Sequence, residues 1–371
     1  MQCEDIMKKF IWLALCVGGI GGLAWLLSGL DQRWQQVFRA SSDEQAVPFG
    51  VLGDSDSHAY HDDLTFSRWP GARGGELRQR TWQWTEVLAR LRPNQLDPGP
   101  WGTWGTRFRH LSGWRDALGL DGRFPAKQDY LFNQAYSGAV CANLNEPPED
   151  QTRRLLTLMA REPTRWRNGV VVIRMGTNDF GKERTLDALS RNPVDPDAMA
   201  LIDACLSHVS RSVQRLHAAQ PGLRIVLVGI FNNAEWALFQ GLWQSPQAMA
   251  SIRQGLARYD DGLRALAEQN PRLAFFDDQA WFAARWGTRG ETGIPDYRPV
   301  RFGARFEVSN TGGDEPRHAT LKDGHAGTVW NALWAQSMVG LLNARFGMSV
   351  PALTTDELVR FADPDGRFGM Q

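Results

Sequence analysis

The sequence predicts an α/β domain in which helices cover both faces of a parallel β-sheet. Short apolar runs typical of buried strands alternate along the chain with helical patterns long enough to connect parallel strands. This repeated order of strand, helix and strand favours a parallel sheet. The strand patterns are VPFGVLG at 47–53, YLFNQAY at 130–136, GVVVIRM at 169–175, RIVLVGI at 224–230 and LAFFDD at 273–278.

The helical patterns supply the connections between these strands. They lie at 81–91, 149–166, 196–219, 246–269 and 326–346. Two segments interrupt the alternation: a tryptophan-rich insertion at about 65–129, and 287–322, in which 298–308 alternates like a hairpin. Both segments are predicted to overhang the carboxyl ends of the strands, where ligands bind in open α/β sheets.

The composition excludes several classes of protein. The 371 residues suffice for one large domain, and 41 basic residues balance 41 acidic ones, so no net charge attracts nucleic acid. The four cysteines have none of the spacings that hold zinc, and we predict neither a metal site nor another cofactor. Cys141 and Cys205 either form a disulfide outside the cytoplasm or remain buried free thiols.

The N-terminus contains an uncharged apolar run at 10–30, preceded by Lys8 and Lys9. A helix of about twenty residues spans a hydrocarbon core roughly 30 Å thick. The basic flank predicts a cytoplasmic N-terminus and a folded body on the other side of the membrane. We favour an uncleaved anchor, because the run does not end in an A-x-A-like site; a cleaved signal sequence and a buried core helix are the alternatives.

These observations divide the chain into five parts. We predict a cytoplasmic N-terminus at 1–9, a transmembrane signal anchor at 10–30, a stem at 31–46, the folded domain at 47–346 and an irregular tail at 347–371.

Four polar motifs follow predicted strands or precede the last predicted helix. Ser55, in GDSDS, follows the first strand, where a hydroxyl is exposed at the sheet edge beside a helix N-terminus that stabilises negative charge. Gly138 and Asn178 follow the second and third strands and are candidate donors to an oxyanion. Each motif alone is also typical of an ordinary turn or helix cap.

The fourth motif, KDGH, precedes the last predicted helix. A serine hydroxyl needs a neighbouring base to become a nucleophile, and His325 is the candidate for that base. Asp323 is the candidate for holding and stabilising the imidazole. The alternative is a turn that leads into the helix.

Together the four motifs resemble those of the SGNH, or GDSL, hydrolase superfamily of serine esterases and acyltransferases. The matching residues are Ser55 in GDSD, Gly138 in YSGA, Asn178 in GTND and His325 in KDGH. The resemblance implies a flavodoxin-like three-layer α/β/α sandwich that hydrolyses an acyl ester. It implies Ser55 as the nucleophile and His325 as the base, with the Ser55 and Gly138 N–H groups and the Asn178 amide as the oxyanion hole.

The sequence departs from the family pattern at two places. Asp56 stands where leucine is usual, which puts a charge beside Ser55 that disfavours anionic substrates. One residue separates Asp323 from His325 where the family usually has two. The role of Asp323 is therefore less secure than that of His325, and Asp314 and His318 are fallback candidates.

Aromatic residues suggest the substrate. Trp101 and Trp104, in a predicted glycine-rich loop, are candidates for stacking on a sugar ring, and His58 and His61 are placed on a helix that begins at Ser55. We therefore expect a membrane-anchored serine esterase, facing the periplasm or exterior, that removes acyl groups, most simply acetyl, from an envelope or extracellular polysaccharide. The alternatives are a carbohydrate O-acetyltransferase, a lipase or thioesterase, and an inactive glycan-binding protein on the same fold.

Overall fold

The computed structural model describes residues 45–117 and 121–368. The predicted cytoplasmic segment, transmembrane anchor and nearly all of the stem lie outside the described residues. Within those two ranges, no helix is long and apolar enough to cross a membrane.

The described residues form strands and helices in the alternating order that the sequence predicts. The strands are β1 Val47–Gly53, β2 Leu96–Asp97, β3 Trp101–Trp104, β4 Lys127–Tyr130, β5 Val170–Arg174, β6 Arg224–Val228, β7 Leu273–Phe276, β8 Val300–Phe302, β9 Phe306–Gly312 and β10 His318–Thr320. The α-helices are α1 Asp63–Phe66, α2 Trp84–Leu91, α3 Arg109–Ala117, α4 Gln151–Met159, α5 Pro163–Trp166, α6 Thr177–Phe180, α7 Glu183–Arg191, α8 Pro196–Ala219, α9 Pro246–Glu268, α10 Asp278–Trp286, α11 Thr328–Phe346 and α12 Thr355–Ala362.

A five-stranded parallel sheet forms the centre of the fold, in the order β2-β1-β5-β6-β7. Numbered among themselves these strands run 2-1-3-4-5, an order found in doubly wound α/β sheets. β5 is buried along its whole length, as expected for a central strand covered on both faces. The predicted α/β class with a parallel sheet is therefore confirmed.

The long helices begin where side chains cap them. Asp195 accepts a hydrogen bond from the Ala198 N–H at 3.0 Å at the start of α8, and Ser245 accepts one from the Ala248 N–H at 3.2 Å at the start of α9. A proline occupies the first turn of both helices, where its missing N–H costs nothing. α11 ends at Gly347, whose φ of 62° suits a glycine.

The predicted strand at 130–136 is only partly formed. Lys127–Tyr130 forms β4, which pairs antiparallel with β3. Beyond it, Asn133 makes a single parallel bridge to Val51, and Phe132 and Gln134 form backbone hydrogen bonds with Val51. The physical reason is that pairing with β3 draws Tyr130 and the residues before it away from β1, so only the end of the predicted strand lies beside β1. The predicted loop around Trp101 and Trp104 is accordingly a strand.

Two other expectations are corrected and one is confirmed. The chain after Ser55 forms turns, and the first helix begins only at Asp63, so no helix N-terminus lies at Ser55. The tail is not wholly irregular, because α12 packs Leu358 and Val359 into the core. The predicted hairpin at 298–308 is confirmed by the antiparallel pair β8 and β9.

The two cysteines within the described residues form one disulfide. Cys141 is bonded to Cys205, across 64 positions of sequence, and their Cα atoms are 5.1 Å apart. Of the two alternatives that the sequence left open, the structure contains the disulfide.

Candidate active site

The four sequence motifs converge at the carboxyl edge of the central sheet. Ser55 follows β1, Asn178 lies just after β5 in α6, and His325 precedes α11. Together with Gly138 and Asp323, these residues line one open cavity with a volume of about 1520 Å³. The structure therefore brings together all the residues that the sequence assigned to catalysis.

The turn that carries Ser55 is held from both sides. Gln151 fixes the end of β1, since its side chain accepts from the Gly53 N–H at 2.8 Å and donates to the Gly53 carbonyl at 2.9 Å. The Asp56 carbonyl accepts hydrogen bonds from Arg174 Nη1 and Trp84 Nε1, each at 3.0 Å. Ser55 is only 8% exposed, and its position depends on this turn.

Three donors remain available for a negatively charged oxygen. In the described part of the chain, the N–H groups of Ser55 and Gly138 have no hydrogen-bond partner. Asn178 Nδ2 donates one hydrogen to the Ala139 carbonyl at 2.9 Å, which orients the amide and leaves its second hydrogen free. Gly138 has a φ of 86°, a conformation that glycine adopts without strain. Such fixed donors are what an oxyanion hole requires.

The short spacing between Asp323 and His325 does not keep them apart. Asp323 Oδ1 lies 3.1 Å from His325 Nδ1 and accepts from the His325 backbone N–H, also at 3.1 Å. Gly324 makes this turn possible because its φ is 85° and a Cβ there would lie 2.5 Å from Leu238. Among the described residues, neither Ser55 Oγ nor His325 Nε2 has a hydrogen-bond partner, so the two are not bonded to each other in this structure, although both residues line the same cavity.

Arg73, which the sequence analysis missed, completes this cluster. Its backbone N–H and Nη1 donate to Asp323 Oδ2 at 2.9 and 2.7 Å, and Nη1 also lies 2.6 Å from His325 Nδ1. Arg73 is 4% exposed, and its guanidinium packs over the ring of Phe66 at 4.4 Å. No local pattern in the insertion marks this arginine, because its partners lie about 250 positions away.

The charges around Asp323 determine its ionisation. Burial opposes ionisation, but the hydrogen bond and charge of His325 and the charge of Arg73 outweigh it and hold the pKa of Asp323 well below its ordinary value. Asp323 is therefore an anion throughout the range in which an imidazole titrates. It is suited to orient His325 and to stabilise the imidazolium.

A second, smaller cavity also adjoins Ser55. Its volume is about 230 Å³, and Ser55, Asn178 and His325 line it as well. Its wall combines four aromatic side chains with four charged ones: Phe231, Trp236, Phe239 and Trp330, and Asp56, Arg174, Lys182 and Glu183. The reacting groups thus line both a large open cavity and a small one that is partly aromatic.

Of the other predicted binding residues, Asp56 lines one of the two cavities and the two tryptophans line neither. Asp56 lines the small cavity, where its Oδ2 accepts from Thr177 Oγ1 at 3.1 Å. Trp101 and Trp104 line neither cavity: Trp101 packs against Tyr130, and Trp104 Nε1 donates to the Asp129 carbonyl at 2.8 Å. Trp69, 65% exposed, is the tryptophan that lines the large cavity.

The fallback pair, Asp314 and His318, and the two histidines after Ser55 form hydrogen bonds with residues other than Ser55 and His325. Asp314 and His318 line the large cavity, but His318 Nδ1 contacts Thr311 Oγ1 at 2.7 Å and is not paired with Asp314. His61 contacts Glu86 at 2.7 Å and lines neither cavity. His58 is buried beside Asp62, with its Nε2 2.9 Å from Oδ2.

One group of candidate metal ligands occurs in the described ranges, Cys141, Asp179 and Cys205. Both sulfur atoms belong to the disulfide, so neither is available as a thiolate ligand.

Asp179 is expected to make stability depend on pH. Burial raises the pKa of its carboxyl to about 6, although the Cys141 N–H donates to it. A carboxyl with a raised pKa in the folded state opposes folding once it ionises. This penalty is complete above about pH 6 and disappears as the pH falls towards the unfolded pKa of about 4.

We expect Asp179→Asn to raise the free energy of unfolding by about 3 kcal/mol at pH 8 and to change it little at pH 4. Urea unfolding at the two pH values measures this difference. An equal effect at both would contradict the assignment of the penalty to ionised Asp179.

Comparison with known proteins gives one family match. The model of the GDSL-like lipase/acylhydrolase family matches residues 51–305. That range contains Ser55, Gly138 and Asn178 and ends before Asp323 and His325. The comparison with curated proteins gave no match.

Among solved structures, the chain is similar to an extracellular lipase from Streptomyces rimosus, with 14% identity, a TM-score of 0.38, and coverage of 81% of this chain and 100% of the lipase. It is also similar to phospholipase A1 from Streptomyces albidoflavus NA297, with 12% identity, a TM-score of 0.32, and coverage of 81% and 99%. A gut microbial diltiazem-metabolizing enzyme matches with 12% identity and a TM-score of 0.35, over 80% of this chain and 47% of that enzyme.

Proposed function

Because the chain belongs to the GDSL-like lipase/acylhydrolase family, we propose that it hydrolyses short-chain carboxylic esters of a carbohydrate through an acyl-enzyme on Ser55. One observation carries the proposal: Ser55, His325 and Asn178 line two cavities of unequal size, a small one with four aromatic side chains and a large open one. An ester has an acyl side and an alcohol side, and the two cavities offer a small space for one and a large space for the other.

The reacting groups act in the following order. Ser55 Oγ attacks the ester carbonyl carbon while His325 Nε2 takes its proton, and Asp323 stabilises the imidazolium. The Ser55 and Gly138 N–H groups and the Asn178 amide receive the charge that develops on the carbonyl oxygen. His325 then protonates the leaving alcohol, and water, activated by the same imidazole, releases the acid and restores Ser55.

The small cavity suits the acyl side of the ester. Its volume of about 230 Å³ is far smaller than the 1520 Å³ of the large cavity, and four aromatic side chains form part of its wall. A short acyl group such as acetyl or butyryl fits this space without a long hydrophobic groove.

The large cavity suits a polar leaving alcohol. Trp69 offers an exposed aromatic face there, and Glu76, Asp314 and His318 offer hydrogen-bonding groups. An aromatic face beside several polar side chains is suited to a sugar, whose rings stack and whose hydroxyls need partners. This combination supports an acylated glycan, although the tryptophan differs from the two that the sequence analysis selected.

Two features support a location outside the cytoplasm. The Cys141–Cys205 disulfide is of the kind that persists in oxidising compartments. The apolar run at 10–30, with Lys8 and Lys9 before it, supports an N-terminal anchor that leaves the domain in the periplasm or outside the cell. Protease treatment of intact cells or spheroplasts, compared with lysed ones, tests this orientation.

The function is tested with the full chain on p-nitrophenyl acetate, butyrate and octanoate and then on acetylated polysaccharides. We expect acetate and butyrate to react at least tenfold faster than octanoate, and free acetate to appear from an acetylated glycan. A preference for octanoate would favour a lipase. Acetate transferred to an added sugar in place of water would favour an O-acetyltransferase.

Trp236 is expected to limit the length of the acyl chain. Its indole lines the small cavity and packs against Gly324, so closely that a Cβ added to Gly324 would lie 2.7 Å from the ring. Trp236→Ala enlarges the cavity, so we expect the ratio of octanoate to acetate hydrolysis to rise about tenfold, in line with the ~1–3 kcal/mol that one methylene contributes in an apolar pocket. Trp101→Ala, away from both cavities, is the matched control and leaves the ratio unchanged.

A further inference from the structure

A second serine in the large cavity has its own histidine and aspartate. Ser137 Oγ lies 3.1 Å from His58 Nδ1, and His58 Nε2 lies 2.9 Å from Asp62 Oδ2. His58 and Asp62 are buried, whereas Ser137 is partly exposed and lines the cavity. The proposed reaction at Ser55 uses none of these three side chains.

The hydrogen bonds determine which nitrogen of His58 carries the proton. The Ser137 backbone N–H donates to His58 Nδ1 at 3.1 Å, and an N–H donates only to an unprotonated ring nitrogen. The proton therefore lies on Nε2, which donates to Asp62. Burial lowers the pKa of His58, so the ring is neutral and the lone pair on Nδ1 points towards Ser137 at neutral pH. This is the tautomer that a base for Ser137 needs.

Two further groups favour negative charge at Ser137. Arg73 Nη2 donates to Ser137 Oγ at 3.1 Å, which stabilises an alkoxide there. The next residue is Gly138, whose N–H has no hydrogen-bond partner in the described residues. Its φ of 86° is a backbone conformation that favours glycine. The N–H that follows a nucleophile is a common oxyanion donor in serine hydrolases.

We propose that Ser137, with His58 as base and Asp62 as its orienting carboxylate, is a second nucleophile for carboxylic esters in the same cavity. Ser137 Oγ attacks the carbonyl carbon and its proton passes to His58 Nδ1. The alcohol leaves with that proton, and an ester on Ser137 remains. Water activated by His58 then releases the acid. Because neither step uses Ser55, the inference stands apart from the proposed role of Ser55.

Arg73 also connects the two serine sites. Arg73 donates through Nη2 to Ser137 and through Nη1 to Asp323, so one guanidinium contacts both serine systems. Acylation turns Ser137 Oγ into an ester oxygen, which is a weaker acceptor than a hydroxyl, so it weakens the hydrogen bond from Arg73 Nη2. Acylation of one serine is therefore expected to slow acylation of the other.

The test is covalent labelling of the full chain with an alkyl fluorophosphonate, which an activated serine attacks with loss of fluoride. Peptide mapping by mass spectrometry locates the adduct. We expect Ser55→Ala to take up one adduct per chain on Ser137, at least tenfold more slowly than the wild type, and Ser55→Ala/Ser137→Ala to take up none. The matched control, Ser55→Ala/Ser67→Ala, removes an exposed hydroxyl outside the cavity and retains the adduct.

A second variant tests the base. His58→Gln in the Ser55→Ala chain retains hydrogen-bonding capacity without a titrating ring and is expected to slow labelling at least a hundredfold. Its thermal transition, compared with that of Ser55→Ala, shows whether the chain is folded. Absence of label from folded Ser55→Ala, a label on another serine, or an unchanged rate in folded His58→Gln would overturn the proposal. A wild type labelled at Ser137 alone would contradict the role of Ser55 and leave this inference intact.

Discussion

Ser55→Ala is expected to lower kcat/KM for p-nitrophenyl acetate by at least about 10⁴-fold. The change removes the oxygen that forms the acyl-enzyme, and no other atom at that position replaces it. The cavities, His325, the oxyanion donors and Ser137 remain, so a residual rate above that in buffer is expected. Steady-state kinetics of the two full-length chains measure the effect.

The stability of this variant separates a chemical effect from a structural one. In the described structure, Ser55 Oγ makes no hydrogen bond, and the turn around it is held by Gln151, Arg174 and Trp84. The free energy of unfolding of Ser55→Ala is therefore expected to stay within about 0.5 kcal/mol of the wild type. Nearly full activity in a folded Ser55→Ala chain would disprove the assignment of Ser55 as the principal nucleophile.

The sequence predicts the regular elements of this fold well where local signals and burial agree. The Asp-Pro and Ser-Pro starts of α8 and α9 and the apolar runs of β5 and β6 need no distant partner to be recognised. The strand predicted at 130–136 is only partly formed for the opposite reason. Tyr130 pairs with Trp101 in β3, a partner that no local pattern identifies, and only the residues after Tyr130 lie beside β1.

Some residues of the candidate site can likewise be predicted from local patterns, and others cannot. Ser55, Gly138, Asn178 and His325 are predictable because each follows a recognisable strand or precedes a helix, and a parallel sheet brings these positions to one edge. Arg73 is different, because its role depends on a buried contact between the insertion and the turn before α11. Only the tertiary structure places it there.

His58 and Ser137 show the same limit. The sequence places His58 on a helix after Ser55, but the turns that replace this helix direct the ring towards Ser137, 79 positions away. The sequence favours Trp101 and Trp104 over Trp69, because the strand that those two residues form depends on pairing with β4 and has no local signal. Sequence patterns identify the reacting residues, whereas the surrounding residues that position them come from distant parts of the chain.

The largest stability effect is expected at the buried ion pair below the Ser55 turn. Arg174 Nη2 donates to Asp278 Oδ2 at 2.8 Å, and Trp334 Nε1 donates to Oδ1 at the same distance. The two charged side chains are 8% and 1% exposed, and the guanidinium packs over Trp334. Asp278→Ala leaves the guanidinium buried without its hydrogen-bonded carboxylate, with Asp56 and Asp54 as the acidic groups that still act on it. We expect the free energy of unfolding to fall by about 3–5 kcal/mol, measured by urea unfolding.

An exposed ion pair provides the matched control for this prediction. Arg258 and Asp203 also form a close contact, at 2.6 Å, but their side chains are 53% and 48% exposed. Asp203→Ala is therefore expected to cost less than about 1 kcal/mol, since water already solvates both charges. Similar losses in the two variants would show that burial does not set the strength of the Arg174 pair.

The same pair also links stability to catalysis, because Arg174 donates to the Asp56 carbonyl in the Ser55 turn. Arg174→Met/Asp278→Ala removes both charges, so its loss of stability is expected to be smaller than that of Asp278→Ala alone. Activity is expected to be lower in the double variant than in Asp278→Ala, since only the double variant has lost the donor from Arg174 to the Asp56 carbonyl. Equal activity in the two folded variants would show that Trp84, the other donor to that carbonyl, is sufficient to position Ser55.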